Sequence, residues 1–310
     1  MIVKLRDITV RQLRALAAVA AEGSVTAAAQ KLHLSQPAVT QQLRNLQDLA
    51  GLPLLQRSSD GMLLTEAGKE LLQLRQRIEA SIEASELSLA MISGQTGGRI
   101  AIGAVSTAKY FVPSAIAAFS KLHPKIDIKL SIGNRETLRR AMRGYDIDIA
   151  IMGRPPPDVD LEVRLLGDHP HVIIASRDHR LARDRRLALV DLSHETFITR
   201  EIGSGTRMLM ESMFETADLQ PTVAMEMDSN ETIKQAVMAN LGIAFISAHT
   251  VASELADGRL VILDVGGLPI VRQWYVMRRK DKVVLPPAQA IMDFMSSEAA
   301  KFLPNLRTGD

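Results

Sequence analysis

Apolar residues recur every three or four positions over the first fifty residues, a spacing that predicts helices. A first helix passes through residues 13–20, and the polar Ser24 can cap a second helix. A short turn at residues 33–34 precedes a third helix that Ser35 caps, with Pro37 in the first turn, where a missing N–H costs nothing. The order of helix, tight turn and helix predicts a helix-turn-helix.

Two short apolar runs follow the third helix. They are LLQR at residues 54–57 and MLLT at residues 62–65, and the segment SSDG lies between them. The dipeptide Asp60–Gly61 is expected in the tight turn of a β-hairpin. Residues 1–65 are therefore predicted to form an all-α winged helix-turn-helix domain, with the hairpin as its wing.

Residues 66–94 are predicted to form one long amphipathic helix, because Gly68 is the only Gly or Pro between residues 66 and 93. Its apolar positions follow an approximate three/four spacing and are Leu71, Leu74, Ile78, Ile82, Leu89 and Ile92. No neighbouring segment of the sequence is free to cover this face, which favours dimerisation with the same helix of a second copy. The alternative is a helix that packs on its own domain.

Beyond Gly98, short apolar runs alternate with helical segments. The runs are RIAIGAV, IDIKLSIG, DIAIMG, VIIAS, VAMEM and GIAFIS, and the helical segments are residues 113–122, 135–143, 206–217 and 230–241. This alternation predicts a mostly parallel sheet covered on both faces, in two α/β lobes like those of periplasmic binding proteins. We expect this domain at residues 95–310, with lobe I at about 98–168 and 273–310 and lobe II at about 169–272.

The composition excludes several classes of protein. The chain has no cysteine, so it forms no disulfide and no thiolate zinc site, and it has no cysteine nucleophile. Charged residues at positions 4, 6, 7, 11 and 14 interrupt the apolar run that a signal peptide needs. No segment approaches the roughly 20 apolar residues of a membrane span. We therefore expect a soluble cytoplasmic protein that does not bind membranes.

Charge in the first 65 residues favours a nucleic-acid partner, with seven Lys or Arg against four acids and a net charge of +3. The second helix of a helix-turn-helix enters the major groove, where Gln pairs with adenine and Arg with guanine. The predicted DNA-binding residues are Gln36, Thr40, Gln41 and Arg44, with Ser35 and Pro37 at the helix start and Thr26 and Arg57 for phosphates. Because no aromatic residue precedes Tyr110, duplex DNA fits better than single strands. The alternatives are an ordinary solvated surface and a small protein-binding module.

The stretch REIGSGTR, residues 200–207, predicts an anion site. It follows the apolar FIT and precedes the helical MLMESMF, so that backbone N–H groups meet the positive end of a helix dipole. It has neither the P-loop spacing nor the full dinucleotide fingerprint, which makes it weak as an enzyme motif. The alternative is a glycine-rich turn whose arginines pair with Glu201 and Glu211.

Other polar residues follow predicted strands, at the edge of a parallel sheet where ligands commonly bind. The predicted effector-binding residues are Ser106, Thr107, Lys109, Arg135, Arg154, Thr199, Arg200, Gly203, Ser204, Gly205, Thr206, Arg207, Asn230 and Lys234. Each of them alone is more often a surface residue. Their shared location predicts a polyanion site between the lobes.

The sequence lacks motifs for catalysis. GxSxG does not occur, and Ser106 has no evident histidine partner. His169 and His171 in DHPH, and the pair His194–Glu195, lack a metal-binding spacing such as HExxH. We expect no enzyme activity, no metal and no cofactor.

A resemblance to LysR-type transcriptional regulators is carried by the segment TVRQLRALAAVAAEGSVTAAAQKLHLSQPAVTQQLRNLQDLAGLPLLQR, followed by LTEAG. The similarity continues through the long helix and the two lobes, and so covers essentially the whole chain. It implies a homotetramer that binds double-stranded promoter DNA at an inverted repeat and represses its own divergent gene. It also implies contact with RNA polymerase and a small effector bound between the lobes.

A narrower resemblance, to the CbbR regulators of Calvin-cycle carbon-fixation operons, lies in the two lobes. The matching segments are VSTAKYFVP, NRETL, IMGRPP, REIGSGTR, SNETIKQAVMANLGIAFISAHT and GLPIVRQWYV. This resemblance implies activation of carbon-fixation genes by ribulose 1,5-bisphosphate, 2-phosphoglycolate, phosphoenolpyruvate or NADPH. Regulators of inorganic-carbon uptake share much of the pattern and are an alternative. Alternatives of another class are a sugar-phosphate enzyme, prompted by GSGTR, and a solute-binding protein, which would leave residues 1–65 without a role.

Overall fold

The computed structural model, which describes residues 5–59, 61–94 and 97–304, separates into two units, Met1–Glu86 and Leu87–Asp310. The boundary falls inside one long helix, so that helix contributes to both units. Within these described ranges no helix combines the length and the apolar character needed to cross a membrane. Asp60, predicted for the hairpin turn, lies outside the described residues.

The first unit has the predicted order of helix, turn, helix and hairpin. Its elements are α1 Val10–Glu22, α2 Val25–Lys31, α3 Gln36–Ala50, β1 Leu55–Ser58, β2 Gly61–Leu64 and the start of α4 Glu66–Ile92, after a short 3-10 helix at Leu5–Asp7. Ser24 accepts a hydrogen bond from the Ala27 N–H at 3.1 Å, and Ser35 accepts one from the Ala38 N–H at 3.3 Å. Both predicted caps are confirmed, and β1 and β2 pair antiparallel as the predicted wing.

The first half of α4 packs on its own unit. Leu71 is 5% exposed within the core formed by α1, α2 and α3, and Leu74 and Ile78 pack partly buried against that core. The expectation that no neighbouring segment covers this face is therefore wrong for these three positions. Their helical spacing turns them toward the helices of the same chain, so Leu71 in particular is a core residue of the first unit, and its part in dimerisation stays a prediction.

The other three apolar positions of α4 are exposed. Ile82 is 41% exposed, Leu89 66% and Ile92 80%. Apolar side chains repeated along one helix face in this way are the surface that a second helix covers in a coiled coil. Dimerisation through these three residues stays a prediction.

The second unit alternates strands and helices in two lobes, as predicted. Its strands are β3 Arg99–Val105, β4 Asp127–Gly133, β5 Ile149–Met152, β6 Leu161–Ser176, β7 Thr196–Arg200, β8 Thr222–Met227, β9 Ala244–Ser247, β10 Leu260–Ile262 and β11 Ile270–Arg279. Its further helices are α5 Val112–Leu122, α6 Arg135–Arg143, α7 Gly205–Thr216, α8 Asn230–Met238, α9 Ala252–Ala256 and α10 Pro286–Glu298, with short 3-10 helices at Ser106–Tyr110, Arg180–Arg183, Leu189–Leu192, Ala248–Thr250 and Ala299–Phe302.

The prediction of a mostly parallel sheet is wrong. Strand β3 pairs parallel with β4 and β5, and β7 pairs parallel with β8. Strand β6, however, runs antiparallel to β9, β10 and β11, and β11 runs antiparallel to β5. Only the end of β6, VIIAS, is a continuous apolar run, whereas its first half alternates exposed and buried positions. That half therefore lacks the sequence signal of a buried strand.

The long strands β6 and β11 pass through both lobes, and each lobe has its own core on them. Leu166 and Trp274 belong to the core of lobe I, whereas Ile173 and Ile270 pack with Phe197 in lobe II. The carboxyl ends of the parallel strands β3, β4 and β5 meet at one edge of the sheet. The residues that follow these strands line a cavity together with residues of lobe II.

Candidate functional site

A cavity of about 260 Å³ lies between the two lobes. The predicted residues on its wall are Ser106, Thr107, Arg135, Arg154, Arg200, Ser204, Gly205 and Thr206. In lobe I they follow β3, β4 and β5, whose carboxyl ends share one edge of the sheet. In lobe II they lie at the end of β7 and the start of α7. Most of this wall could therefore be predicted from which residues follow a strand in the sequence.

The start of α7 presents free donors to the cavity. Ser204 occupies the N-cap position, but its side chain makes no capping hydrogen bond. The first N–H groups of a helix have no partner within the helix, and the helix dipole adds partial positive charge. Thr206, which is 6% exposed, contributes a hydroxyl in the same turn. This part of the wall can bind an anion without any charged side chain.

Arg200 lies on the wall, but its charge is already matched. It is 3% exposed and donates to both carboxylate oxygens of Glu201, at 2.7 and 3.0 Å. It also donates to Asn230 Oδ1 at 2.7 Å, to Ser106 Oγ at 3.0 Å and to the backbone oxygen of Asp228 at 3.5 Å. This is the pairing with Glu201 that the alternative interpretation of REIGSGTR expects. Arg200 thus belongs to the wall as a fixed structural group.

Arg207 does not reach the wall. It forms ion pairs with Glu211, at 2.7 Å, and with Glu226, and it donates to the backbone oxygen of Arg200 at 3.1 Å. The four-residue spacing on α7 places Arg207 beside Glu211, and an effector contact of Arg207 stays a prediction. The alternative, in which this arginine pairs with Glu211, is confirmed.

Five further predicted residues lie away from the wall: Lys109, Thr199, Gly203, Asn230 and Lys234. The two lysines are held by carboxylates. Lys109 lies 3.4 Å from Glu231, and Lys234 lies 2.9 Å from Glu231 and 3.0 Å from Glu254. The charges of both lysines are thus matched within the protein, and their contact with an effector stays a prediction.

Asn230, Gly203 and Thr199 are likewise not on the wall. Asn230 accepts a hydrogen bond from Arg200, as described above. The backbone oxygen of Gly203 accepts a hydrogen bond from the Glu136 N–H of lobe I at 3.3 Å. Thr199 is 2% exposed inside β7. Asn230 therefore supports Arg200, and Gly203 joins the two lobes.

Three arginines of the wall have no ion-pair partner among the described residues: Arg135, Arg154 and Arg272. Arg135 makes one long hydrogen bond, from Nη2 to the backbone oxygen of Pro155 at 3.4 Å. Burial lowers the pKa of Arg135, and the charges of Arg154 and Arg139 lower it further. Burial also lowers the pKa of Arg272, followed by repulsion from Arg154 and Arg135. Glu136 and Asp158 raise the pKa of Arg135 in part, but neither they nor any other Asp or Glu of the described chain is on the cavity wall.

Arg272, His169 and His171 are wall residues that the sequence did not predict. Arg272 on β11 lies directly opposite His169 on β6 in the antiparallel register. The two positions are far apart in the sequence, and neither strand segment has the apolar run of a buried strand. The one sequence signal for Arg272 was its place in GLPIVRQWYV, a segment that resembles the CbbR regulators.

His169 and His171 are neutral near pH 7. Burial, with the nearby His171 and His249, holds the pKa of His169 well below its usual range, and burial lowers the pKa of His171 to about 3. His171 Nδ1 donates to the backbone oxygen of His169 at 3.0 Å. His169 Nε2 lies 2.9 Å from Ser247 Oγ, whereas His169 Nδ1 has no partner among the described residues. In the part of the chain that is described, no group of three potential metal ligands occurs.

The third helix of the first unit, α3, exposes a polar face. Its buried side is formed by Val39, Leu43 and Leu46, as predicted. The exposed DNA-binding candidates are Thr26, Ser35, Gln36, Pro37, Gln41, Arg44 and Arg57. Thr40 is half-buried and donates to the Gln36 backbone oxygen at 2.9 Å, so its hydroxyl is less free than predicted. Contact of these residues with DNA stays a prediction.

Two family descriptions match the two units. Residues 10–69 match the bacterial regulatory helix-turn-helix protein, lysR family, and residues 93–300 match the LysR substrate binding domain. The chain belongs to the LysR family. The resemblance seen in the sequence is therefore confirmed, as is the fold class of a winged helix-turn-helix with a two-lobed α/β domain.

Named relatives match this LysR-family chain over nearly its whole length. The chain is 50% identical to the HTH-type transcriptional regulator CbbR of Xanthobacter flavus, over 97% of this chain and 91% of that protein. It is 42% identical to the RuBisCO operon transcriptional regulator of Allochromatium vinosum, over 95% of this chain and 97% of that protein. The narrower resemblance to the CbbR group is thus confirmed.

Solved structures of other regulators share the fold. The regulatory domain of Synechocystis PCC6803 CcmR, in complex with 2-PG, is 37% identical with a TM-score of 0.62, covering 64% of this LysR-family chain and 95% of that chain. Full-length CbnR complexed with its target DNA is 21% identical with a TM-score of 0.64, covering 94% of this chain and 100% of that chain. The CbnR likeness shows the fold alone.

Proposed function

We propose that this chain is a transcriptional regulator that activates carbon-fixation genes when a phosphorylated metabolite binds between its lobes. The observation that carries the proposal is the cavity wall, which joins unpaired arginines to a helix start and includes no acidic residue of the described chain. The names of its relatives, CbbR and RuBisCO operon regulator, support the target genes. The 2-PG complex of the CcmR regulatory domain supports a phosphorylated effector. The function that we propose includes no cofactor and no catalysed reaction.

2-Phosphoglycolate is the first effector to test, followed by ribulose 1,5-bisphosphate and phosphoenolpyruvate. A phosphate monoester carries a charge of about −1.5 to −2 near pH 7, which suits both the helix start and the arginines. A cavity of about 260 Å³ fits such small acids better than NADPH, which is several times larger than 2-phosphoglycolate.

The assembly that we propose is a homotetramer on double-stranded promoter DNA, in contact with RNA polymerase. The exposed Ile82, Leu89 and Ile92 supply the pairing surface, and α3 supplies the groove-reading helix. An effector that favours one closure of the lobes would shift how the assembly binds DNA. Because this coupling is reciprocal, operator DNA would change effector affinity by the same factor.

Footprinting of the full chain tests this function on the RuBisCO promoter of the same genome. We expect protection of an inverted repeat at concentrations that leave random duplex unprotected, and a changed pattern with 2-phosphoglycolate. Protection confined to promoters of inorganic-carbon uptake genes would support that alternative, and equal binding to random DNA would contradict a specific regulator. Product formation from a sugar phosphate would show an enzyme.

A further inference from the structure

Arginines that make no ion pair within the described residues are concentrated in three parts of the molecule. One is the first unit, where Arg44 and Arg57 are predicted to contact DNA, and another is the cavity wall. The third is the segment RLARDRR of lobe II, residues 180–186, in which Arg183, Arg185 and Arg186 are unpaired. Apart from two single residues of lobe I, every other described arginine forms an ion pair with an Asp or Glu.

The first two groups of unpaired arginines each have an anionic partner in the proposed function. That partner is DNA for the first unit and a phosphorylated effector for the cavity wall. Clustered arginines on one face of a protein are typical of surfaces that bind nucleic acid, because the guanidinium group suits phosphate. The third group has no partner in the proposed function, so its own anion has to be identified.

The segment at residues 180–186 is held so that its arginines point outward. Leu181 is 3% exposed and Leu187 is 8% exposed, and both belong to the core of lobe II. The Arg186 N–H donates to Asp264 Oδ2 at 3.0 Å, and the Leu187 N–H donates to the Asp264 backbone oxygen at 2.8 Å. The side chains of Arg183, Arg185 and Arg186 are exposed. A backbone fixed in this way lowers the entropy cost when these cations bind a partner.

The charge of this surface is concentrated at residues 183–186. Two neighbouring arginines are matched, since Arg177 lies 3.8 Å from Asp178 and Arg180 forms an ion pair with the buried Glu195. Residues 183–186 hold three arginines against one aspartate, and within the described chain that aspartate pairs with none of them. Three positive charges are therefore presented to solvent within four residues.

The position of these three arginines favours a polymer of phosphates over a small anion. None of them is on the wall of the cavity between the lobes, nor on that of a second cavity of about 260 Å³ at His179, Arg180 and Glu195. Small ligands bind in concave sites with several converging donors. Duplex DNA needs only exposed cations, because it presents about one negative charge per 1.7 Å of its axis.

We infer that Arg183, Arg185 and Arg186 contact the phosphate backbone of duplex DNA, so that lobe II adds a sequence-independent contact to the base reading by α3. This inference rests on the proposed function for its partner and goes beyond it, because that function assigns DNA binding to the first unit. Each phosphate that a cation neutralises releases counterions and adds about 0.9 to the slope of log affinity against log salt. Three contacts should add about two to three to that slope.

Fluorescence anisotropy of the full chain between 50 and 200 mM salt tests this contact. The probes are a RuBisCO promoter duplex that extends beyond the inverted repeat on both sides and a random duplex of the same length. The triple variant Arg183→Gln, Arg185→Gln and Arg186→Gln should lower the slope by about two to three on both duplexes and weaken binding at least about 10-fold at 50 mM salt. Lysine at the same three positions should keep most of the slope, because a backbone contact depends mainly on charge.

The matched control is the triple variant Arg99→Gln, Lys125→Gln and Arg140→Gln. These are exposed cations of lobe I without an ion pair among the described residues, so the control removes the same charge from the other lobe. Its slope should differ from that of the parent by less than about 0.5, since exposed charges far from DNA are screened by salt. Melting temperatures close to that of the parent show that the variants are folded.

Three results would overturn the contact. The first is an unchanged slope in the glutamine variant of residues 183–186, and the second is an equal loss in the control, which would show a general effect of net charge. The third is unchanged DNA binding with lost activation of RNA polymerase in vitro, which would assign the segment to an acidic protein surface.

The proposed function can fail separately from this contact. Equal binding of promoter and random duplex by the parent chain would contradict a specific regulator. A lower slope of the glutamine variant on both duplexes would still support the phosphate contact in that case.

Discussion

Arg200 of lobe II donates a hydrogen bond to Ser106 Oγ of lobe I at 3.0 Å, although the charge of Arg200 is already matched by Glu201. The bond joins the end of β7 to the residue that follows β3, so it sets how the two lobes meet at the cavity. The same guanidinium holds Asn230. Arg200 is thus a fixed part of the wall, and the free charges for a ligand are those of other arginines.

Arg200→Ala should lower the free energy of unfolding by about 3–5 kcal/mol, because it leaves the partly buried Glu201 and the buried Asn230 without their partner. Arg207→Ala is the matched control from the same turn. Its ion pairs with Glu211 and Glu226 are largely solvent-exposed, so the expected loss is about 0–1 kcal/mol. Denaturant unfolding measures both, and similar losses would show that Arg200 has no special structural role.

Gly203→Ala should alter the closure of the lobes. Gly203 has φ of +90°, and a Cβ there would lie 3.2 Å from Glu136 Cβ of lobe I. Gly258 is a control with the same backbone demand, since its φ is +66° and nothing lies within 4 Å of an added Cβ. Both variants should lose about 1–2 kcal/mol of stability, because alanine is strained in the left-handed backbone conformation that each glycine adopts. Only Gly203→Ala should also weaken effector binding, measured by calorimetry.

Unchanged effector affinity in Gly203→Ala would show that the contact between Gly203 and Glu136 does not control closure. Weaker binding in Gly258→Ala would point to a general loss of stability instead. The two outcomes are distinguished by comparing affinity at equal fractions of folded protein.

Gln36→Ala and Arg44→Ala should relax base preference, each costing about 1–3 kcal/mol on the specific site if the side chain makes a bidentate base contact. Both side chains are exposed on α3, opposite the buried Val39 and Leu43. Arg57→Ala, on the wing, is the control for a phosphate contact. It should weaken specific and random DNA alike and lower the slope of log affinity against log salt by about one. Fluorescence anisotropy on both DNAs measures these effects.

The elements of the first unit could be predicted because their signals are local. Ser24 and Ser35 bond to N–H groups three residues away, and the apolar positions of α3 repeat within one helix. The wall residues after β3, β4 and β5 were predictable for a related reason. In a parallel sheet, the residue that follows a strand lies at the ligand-binding edge whatever the rest of the chain does.

The full set of arginines on the cavity wall depends on a strand pairing that the sequence does not display. Arg272 reaches the cavity only because β11 returns antiparallel beside β6, which places it opposite His169. The buried ion pair of Arg200 was equally hidden from the sequence. A glutamate next to an arginine is as compatible with a solvent-exposed turn as with a buried ion pair. Likewise, the apolar positions of α4 did not show that Leu71, Leu74 and Ile78 pack on the core of the first unit, whereas Ile82, Leu89 and Ile92 are exposed.

Leu89→Asp combined with Ile92→Asp should reduce the mass of the oligomer in solution, because both side chains are exposed on α4 and an acid would disfavour a paired apolar surface. Leu71→Ala is the contrasting variant. Leu71 belongs to the core of the first unit, so its truncation should cost about 2–5 kcal/mol of stability without a specific effect on mass. Light scattering at matched concentration measures the mass, and an unchanged value in the double variant would contradict pairing through this segment.

Two buried histidines beside the cavity make the stability of the second unit depend on pH. Burial lowers the pKa of His171 to about 3 and the pKa of His249 to about 4, from an ordinary value of 6.5. His171 Nδ1 donates to the His169 backbone oxygen, and His249 Nδ1 accepts from Trp274 Nε1 at 3.1 Å. The contact with Trp274 needs the neutral ring of His249, whereas His171 can donate in either form, and burial is what keeps its ring neutral.

Well above pH 6.5 these histidines are neutral in both the folded and the unfolded chain, so they contribute no pH dependence to the free energy of unfolding there. As the pH falls below 6.5, the unfolded chain takes up protons that the folded chain refuses, down to about pH 3 for His171 and about pH 4 for His249. The free energy of unfolding should therefore fall by up to about 1.4 kcal/mol per pH unit for each histidine. Denaturant unfolding at pH 7 and pH 5 measures the slope. His171→Asn should reduce it, exposed His33→Gln should not, and an unchanged slope in His171→Asn would contradict a neutral buried ring.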